Sequence, residues 1–294
     1  MDYDKYVTVR GKQVDVHVNR AMEILDIPPA DINRKLYDGY LRRSDKSWLG
    51  PSVSATQVIE DSIVGNAELD AILKDKIAAL DAALGTNTVN GKVSTVSKSK
   101  RKRRKGRQGD ELDIHQVYNG NLDKAWSESY RVTQDKKHSL VTLILDIGGN
   151  AFENVTDSLW QAAVAYKLVE DFTKAGKSTK IVIAMAGHDP FVGAREKVLT
   201  CSINAKNYNE RITSSRLASM THLGYFRTVM FSQMCLQNNR LCSSLGQSMD
   251  VASNLPLGIS DEIDAGHTVP VIIQKSRSLN SAIDAIKSAY NSFN

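Results

Sequence analysis

The chain has 294 residues, of which 41% are apolar and 24% charged. Those proportions exclude a mostly disordered chain and a disulfide-rich miniature, and the length admits one large domain or two small ones. No apolar run approaches the roughly 18 residues needed to cross a bilayer, and no signal-peptide pattern opens the sequence, so the expectation is a soluble, intracellular protein with no membrane partner. The net charge of +5 is unevenly placed. Nine of the 38 basic residues fall between Lys92 and Arg107 with no acid among them, which leaves −4 for the rest. Cys201, Cys235 and Cys242 form no CxxC pair, which argues against a disulfide framework or a structural zinc site.

Taken in chain order, Tyr6–Val9 and Val14–Val18 alternate apolar and polar positions around Arg10-Gly11-Lys12 and predict a β-hairpin. Short helices are expected from Asn19 to Leu25, before Pro28-Pro29, from Ala30 to Leu41, and from Ser52 to Gly65. Leu69, Ile72, Leu73, Ile77, Leu80 and Leu84 recur at three- and four-residue spacing and predict a helix that Gly85 stops. Residues 86–109 are rich in Gly, Ser, Thr, Lys and Arg and nearly free of large apolar groups, so the expectation there is a flexible basic loop. This divides the chain into a mainly helical N-terminal region (1–85), the loop (86–109) and a C-terminal part (110–294).

From Leu140 the pattern becomes strand–helix alternation. Leu140–Ile147, Ile181–Ala186, Val198–Ile203 and Val269–Ile273 read as strands, and Gly148-Gly149-Asn150 breaks the first. Helices are expected over 156–175, where Leu159, Ala163, Tyr166, Val169 and Phe172 form one stripe, within 209–237, and over Leu279–Phe293. Alternating strands and helices imply an α/β fold with a doubly wound, mostly parallel sheet.

The chemistry-bearing feature is the run Lys98, Lys100, Arg101, Lys102, Arg103, Arg104, Lys105, Arg107, with eight cations in ten positions. Such density is unfavourable without an anionic partner or solvent screening, and phosphate backbones are the commonest partner. Mixtures of aromatic and basic residues favour single strands, because unpaired bases stack on rings. One mixture is Tyr37, Tyr40, Arg42, Arg43, Lys46 and Trp48; another is Tyr118, Lys124, Trp126, Tyr130 and Arg131. Core packing is the competing reading for any one ring.

Catalytic and metal signals are poor. Asp146-Ile147-Gly148-Gly149-Asn150 ends a strand where a von Willebrand factor A domain would carry Asp-x-Ser-x-Ser, but Gly148 and Asn150 replace both serines. That removes hydroxyl ligands a hard cation needs, so a metal-free version is expected. Gly176-Lys177-Ser178 lacks the first glycine of a P-loop and precedes a strand rather than a helix. His188-Asp189, His222 and His267 come with no nucleophile elbow or HExxH, and Asp261–Asp264 reads as a solvated turn. No catalytic residue, metal ligand or cofactor is assigned.

Trp48-Leu49-Gly50, a helix ending at Val64-Gly65, the basic segment, Gly109 to Gly120, and the strand at Leu140 occur in an order that resembles a bacteriophage family. These are the single-stranded DNA-binding RNA polymerase cofactors of small-tailed phages with a virion RNA polymerase. Their C-terminal halves resemble a degenerate von Willebrand A or Rossmann-like fold. The resemblance spans roughly Trp48 to Gly187 and rests on order and spacing. It implies a non-enzymatic protein of the infected bacterial cytoplasm that binds single strands without sequence preference. It further implies self-association, contact with a phage RNA polymerase, and a role in transcription or replication. The DNA-binding residues named above come from charge and aromatic content alone. The competing class is a von Willebrand A-like interaction scaffold that takes an acidic protein, and a third is an enzyme using the loops at Asp146 and Asp189.

Overall fold

The structure is a computed structural model that describes residues 7–19, 46–52, 54–85, 100–106, 109–132, 140–148, 153–154, 156–188, 198–234 and 247–293. In chain order it opens with β1 (Val7–Arg10), β2 (Gln13–Val18), α1 (Lys46–Leu49), α2 (Ala55–Val64) and α3 (Ala67–Gly85). Then come β3 (Lys100–Gly106), β4 (Glu111–Leu112), α4 (Ile114–Tyr118), a 3₁₀ turn (Leu122–Lys124) and β5 (Trp126–Val132). The strand–helix half follows with β6 (Leu140–Asp146), α5 (Leu159–Lys174), β7 (Ser178–His188), β8 (Val198–Lys206) and α6 (Ser214–Thr221). After α7 (Leu223–Tyr225), a π-helical turn (Phe226–Met230) and α8 (Phe231–Met234), the chain ends with β9 (Gln247–Met249), α9 (Leu257–Asp264), β10 (Val269–Ile273) and α10 (Leu279–Phe293).

These elements form two compact units, residues 1–93 with 140–294, and residues 94–139. The first unit is an α/β fold on a mixed, mostly parallel sheet of order β1-β2-β8-β7-β6-β10, with β9 paired to the end of β7. The boundaries differ from the three-part division read in the sequence. The hairpin β1–β2 belongs to the main sheet because β2 pairs in parallel with β8, from Gln13↔Val198 to Val18↔Ile203. A pairing across so many residues has no local signal. Residues 110–132, placed by the sequence at the head of the C-terminal part, belong to the second unit.

Strands β6 and β7 pair in parallel and are buried on both faces, as their continuous apolar runs require. One face carries Val141, Leu143, Leu145, Ile181, Ile183, Leu199, Cys201 and Ile203 and forms the main core. Helix α3 packs with α5, α6 and α10 in this unit. The other face has a smaller cluster of Ile144, Val182, Ala184, Ala186, Val251 and Ile259, the last from α9. The stretch 261–264 is therefore the end of α9 rather than a free turn. Asp261 there pairs with both guanidinium nitrogens of Arg10 at 2.7 Å. Strand β8 runs antiparallel to β7. Only residues 189–197 link them, too few for the crossover helix that parallel pairing needs.

Two contacts fix the layers. Gln161 of α5 donates its amide to the carbonyls of Asp146 and Ile273, at 2.9 and 2.7 Å, and so ties the helix to the ends of two parallel strands. Gly224 lies where α7 meets α1: a Cβ there would sit 2.3 Å from the Leu49 carbonyl oxygen. Beside it His222 is fully buried and accepts the Gly224 N–H on Nδ1 at 3.1 Å. Burial, aided by the Arg227 charge and opposed by Asp61, pushes the imidazole from 6.5 down to about 4.

Gly224→Ala forces backbone apart and should cost about 2–3 kcal/mol, read as a lower Tm of the intact chain. His222 stays neutral in the fold while the unfolded chain protonates it below about pH 6.5. Its contribution is therefore complete above that pH and falls as the pH drops toward 4. In H222N the amide oxygen can accept the same N–H without titrating. Between pH 7 and 5 the variant should lose roughly 1–2 kcal/mol less stability than the parent in urea titrations, and equal losses would contradict the assignment.

Candidate nucleic-acid interface

The basic run is where the structure departs most from the expectation of a flexible loop. Lys100–Gly106 is the strand β3, at one edge of a three-stranded antiparallel sheet of order β3-β5-β4. The partner supplies what the sequence window did not show. β5 is rich in β-formers, and its backbone pairs with all seven positions of β3, from Lys100↔Val132 to Gly106↔Trp126. The register sets Arg104 opposite Glu128 and Lys102 opposite Tyr130, but Arg101 opposite Arg131. Like charges in register oppose pairing, and so many cations on an edge strand form a charge density that an anionic partner would relieve. Six of its seven residues are basic, and same-face positions recur about every 6.7 Å along a strand.

The rest of the unit is small and open. Asp113 caps α4 by accepting the Gln116 N–H and also meets Lys105 Nζ at 3.1 Å, which holds its carboxyl below the usual range. That ion pair is solvent-exposed, so Lys105 can exchange it for a phosphate at little cost. Ala125 is buried, but Leu112, Ile114, Val117, Tyr118, Leu122 and Trp126 are all exposed. Tyr118 is 85% exposed and Leu122 62%. These six are among only eight large apolar side chains this exposed in the described residues. Between Ser94 and Ser139 lie twelve Lys and Arg and six Asp and Glu, a net of +6, while the whole chain carries +5. The other unit is thus nearly neutral.

Of the residues singled out in the sequence, Lys100, Arg101, Lys102, Arg103, Arg104 and Lys105 are brought together in β3. Lys98, Arg107, Tyr37, Tyr40, Arg42 and Arg43 lie outside the described residues. Trp48 is placed differently, within the first unit. Its indole N–H donates to the Arg227 carbonyl at 3.3 Å, the Arg227 guanidinium lies 5.5 Å from the ring centroid, and Phe231 packs at 6.4 Å. Those contacts make it a packing residue rather than a platform for bases. The exposed Leu112, Ile114, Val117 and Leu122 were not picked out by the sequence analysis. Their signal was apolar residues in a segment too short to form a core of its own.

The carboxyl edge of the main sheet is in structural use. Asp146 is buried and accepts the N–H of Gly148 at 3.1 Å and a backbone N–H from Val251. Desolvation raises its pKa, against the nearby Lys275. Arg277 beside it pairs with Glu153 at 2.6 Å. Among the described residues, no three His, Cys, Asp or Glu side chains converge to hold a metal ion, and no helix is long and apolar enough to cross a membrane. His222, considered with the loops at Asp146 and Asp189, is instead the buried group beside Gly224.

No curated protein and no solved structure matches the chain. Residues 29–292 match the model of a family described as a domain of unknown function, DUF7192, and the chain belongs to that family.

Proposed function

We propose that the protein is a non-enzymatic, sequence-independent single-stranded DNA-binding protein whose contact surface is the unit spanning residues 94–139. The observation that carries the reading is the strand β3, with six cations in seven residues inside a unit of net charge +6. Phosphates are the natural counter-charge: each one neutralised releases condensed counterions and adds affinity that salt removes. Preference for single strands is supported by the exposed Tyr118 and Trp126 in the same unit, since base stacking on such rings contributes about 1–3 kcal/mol each. The α/β unit serves as scaffold, a metal-free counterpart of the von Willebrand A arrangement, and offers the surface for self-association and for a phage RNA polymerase. A binding rather than catalytic role fits the carboxyl edge, where Asp146 is engaged by backbone donors.

One observation favours a second reading. Four of the six exposed apolar groups, Leu112, Ile114, Val117 and Leu122, are aliphatic, which suits an acidic protein partner as well as bases. Heparin separates the two: similar, weak binding to heparin and DNA points to a generic acidic partner.

Replacing the six basic residues of β3 by Thr keeps β-propensity and removes the charge. At about 0.15 M salt this variant should bind a single-stranded oligonucleotide at least ~100-fold more weakly, with a shallower salt dependence. Unchanged affinity in a folded variant rules out β3 as the contact. Y118A/W126A should weaken single-strand binding about 10-fold or more and leave duplex binding nearly unchanged. Equal losses on both forms would remove the stacking role.

A further inference from the structure

We propose that the α/β unit has a second, small-molecule site: a cleft at the amino end of β7 that takes a phosphomonoester of about nucleotide size. The cleft has a volume of about 580 Å³ and lies between the C-terminal half of α5, the turn leading into β7, and the segment after β8. That volume falls within the range of ligand pockets. Its position is opposite the carboxyl edge of the sheet, and its residues are independent of the DNA-binding reading.

The floor of the cleft is set by a β-bulge. Along β8 the register with β7 slips between Val182↔Asn204 and Ile181↔Lys206, so Ala205 is the extra residue. In a regular strand Lys206 would follow Ser202 and Asn204 onto the α9 side. The bulge pairs it with Ile181 instead, on the face that forms the main core under α5. There its ammonium is buried and uses its donors on neutral oxygens, the carbonyl and hydroxyl of Thr179 and the carbonyl of Asn207 at 3.1 Å. Among the described residues it makes no ion pair, and the acid acting on its charge is Glu210. A buried cation hydrogen-bonded only to neutral oxygens is costly, and desolvation lowers its pKa against the opposing charge of Glu210. An anion in the cleft would relieve that cost.

The walls are cationic too. Lys174, buried Lys177 and exposed Arg211 line the same cleft. Proximity to the C-terminus of α5 accounts for Lys174 and Lys177 through the helix dipole, but not for Lys206 or Arg211. The two acids of the lining are engaged within the cleft. Glu170 faces Lys174 at 3.8 Å, and both oxygens of Glu210 accept from Asn207, at 3.0 and 3.1 Å. Arg211 makes no ion pair among the described residues, so its planar fork is available to grip a phosphate in bidentate fashion. Tyr166 and Tyr208 add ring surface beside these charges, and the Tyr208 hydroxyl is fixed on Thr142 Oγ1 at 2.7 Å. The Arg211 fork and the buried Lys206 ammonium are the cations of the lining that suit the double charge of a phosphomonoester near pH 7.

The test is isothermal titration of the full chain with AMP, with adenosine as the uncharged control. Three variants are compared: Arg211→Ala, Lys206→Met, and the β3 sixfold Thr substitution. The expected result is AMP binding, none with adenosine, affinity unchanged by the β3 substitution, and at least ~10-fold weaker binding in Arg211→Ala, which loses a charge-assisted fork. Should Lys206→Met fail to fold, the exposed Arg211 variant still decides. Absence of AMP binding at millimolar concentration overturns the proposal, as does binding that is lost with the β3 substitution or is indifferent to Arg211→Ala.

Discussion

The central constraint on this molecule is that β6 and β7 must be covered on both faces. Two adjacent parallel strands of continuous apolar character cannot stop at a sheet edge or face water. The chain meets that demand unequally, with a deep layer of helices on one side and chiefly α9 on the other. Gln161 links the thick layer to the ends of β6 and β10, while Lys180 reaches Glu262 of α9 at 2.7 Å across the thin one. Strand β8 extends this central pair toward the β1–β2 hairpin, and β10 flanks it on the other side.

A body that closes its core in this way tolerates an insertion. Residues 94–139 leave after α3 and return before β6, and they carry a net +6 while the rest of the chain is close to neutral. Confining like charges to one small unit limits their repulsion to that unit and leaves the large core unaffected. The same unit exposes most of the large apolar side chains that the described residues expose. Charge and apolar surface that a small unit cannot neutralise or bury by itself are what a partner would cover.

Much of the α/β unit was legible in the sequence, because apolar runs such as Leu143-Ile144-Leu145 and the period of Leu69, Leu73 and Leu80 are local signals. Pairing between distant segments was not. Nothing near Gln13 announces Val198, and nothing in a run of Lys and Arg announces a strand until Trp126–Val132 is known to pair with it. Trp48 illustrates the limit for single residues: its aromatic and basic neighbours in sequence suggested a stacking site, whereas Arg227 and Phe231 from far along the chain turn it into packing. The bulge at Ala205 was equally silent, since one extra residue redirects Lys206 without any mark in composition.

The binding role depends above all on phosphate as the counter-charge of β3. Fluorescence anisotropy with matched single- and double-stranded oligonucleotides, repeated across a series of salt concentrations, measures it directly. The expected result is tight binding that weakens steeply with salt, with a slope corresponding to several phosphates, and a preference for the single strand. Failure to bind either form at low salt would contradict it and leave the charge of β3 to be met by a protein.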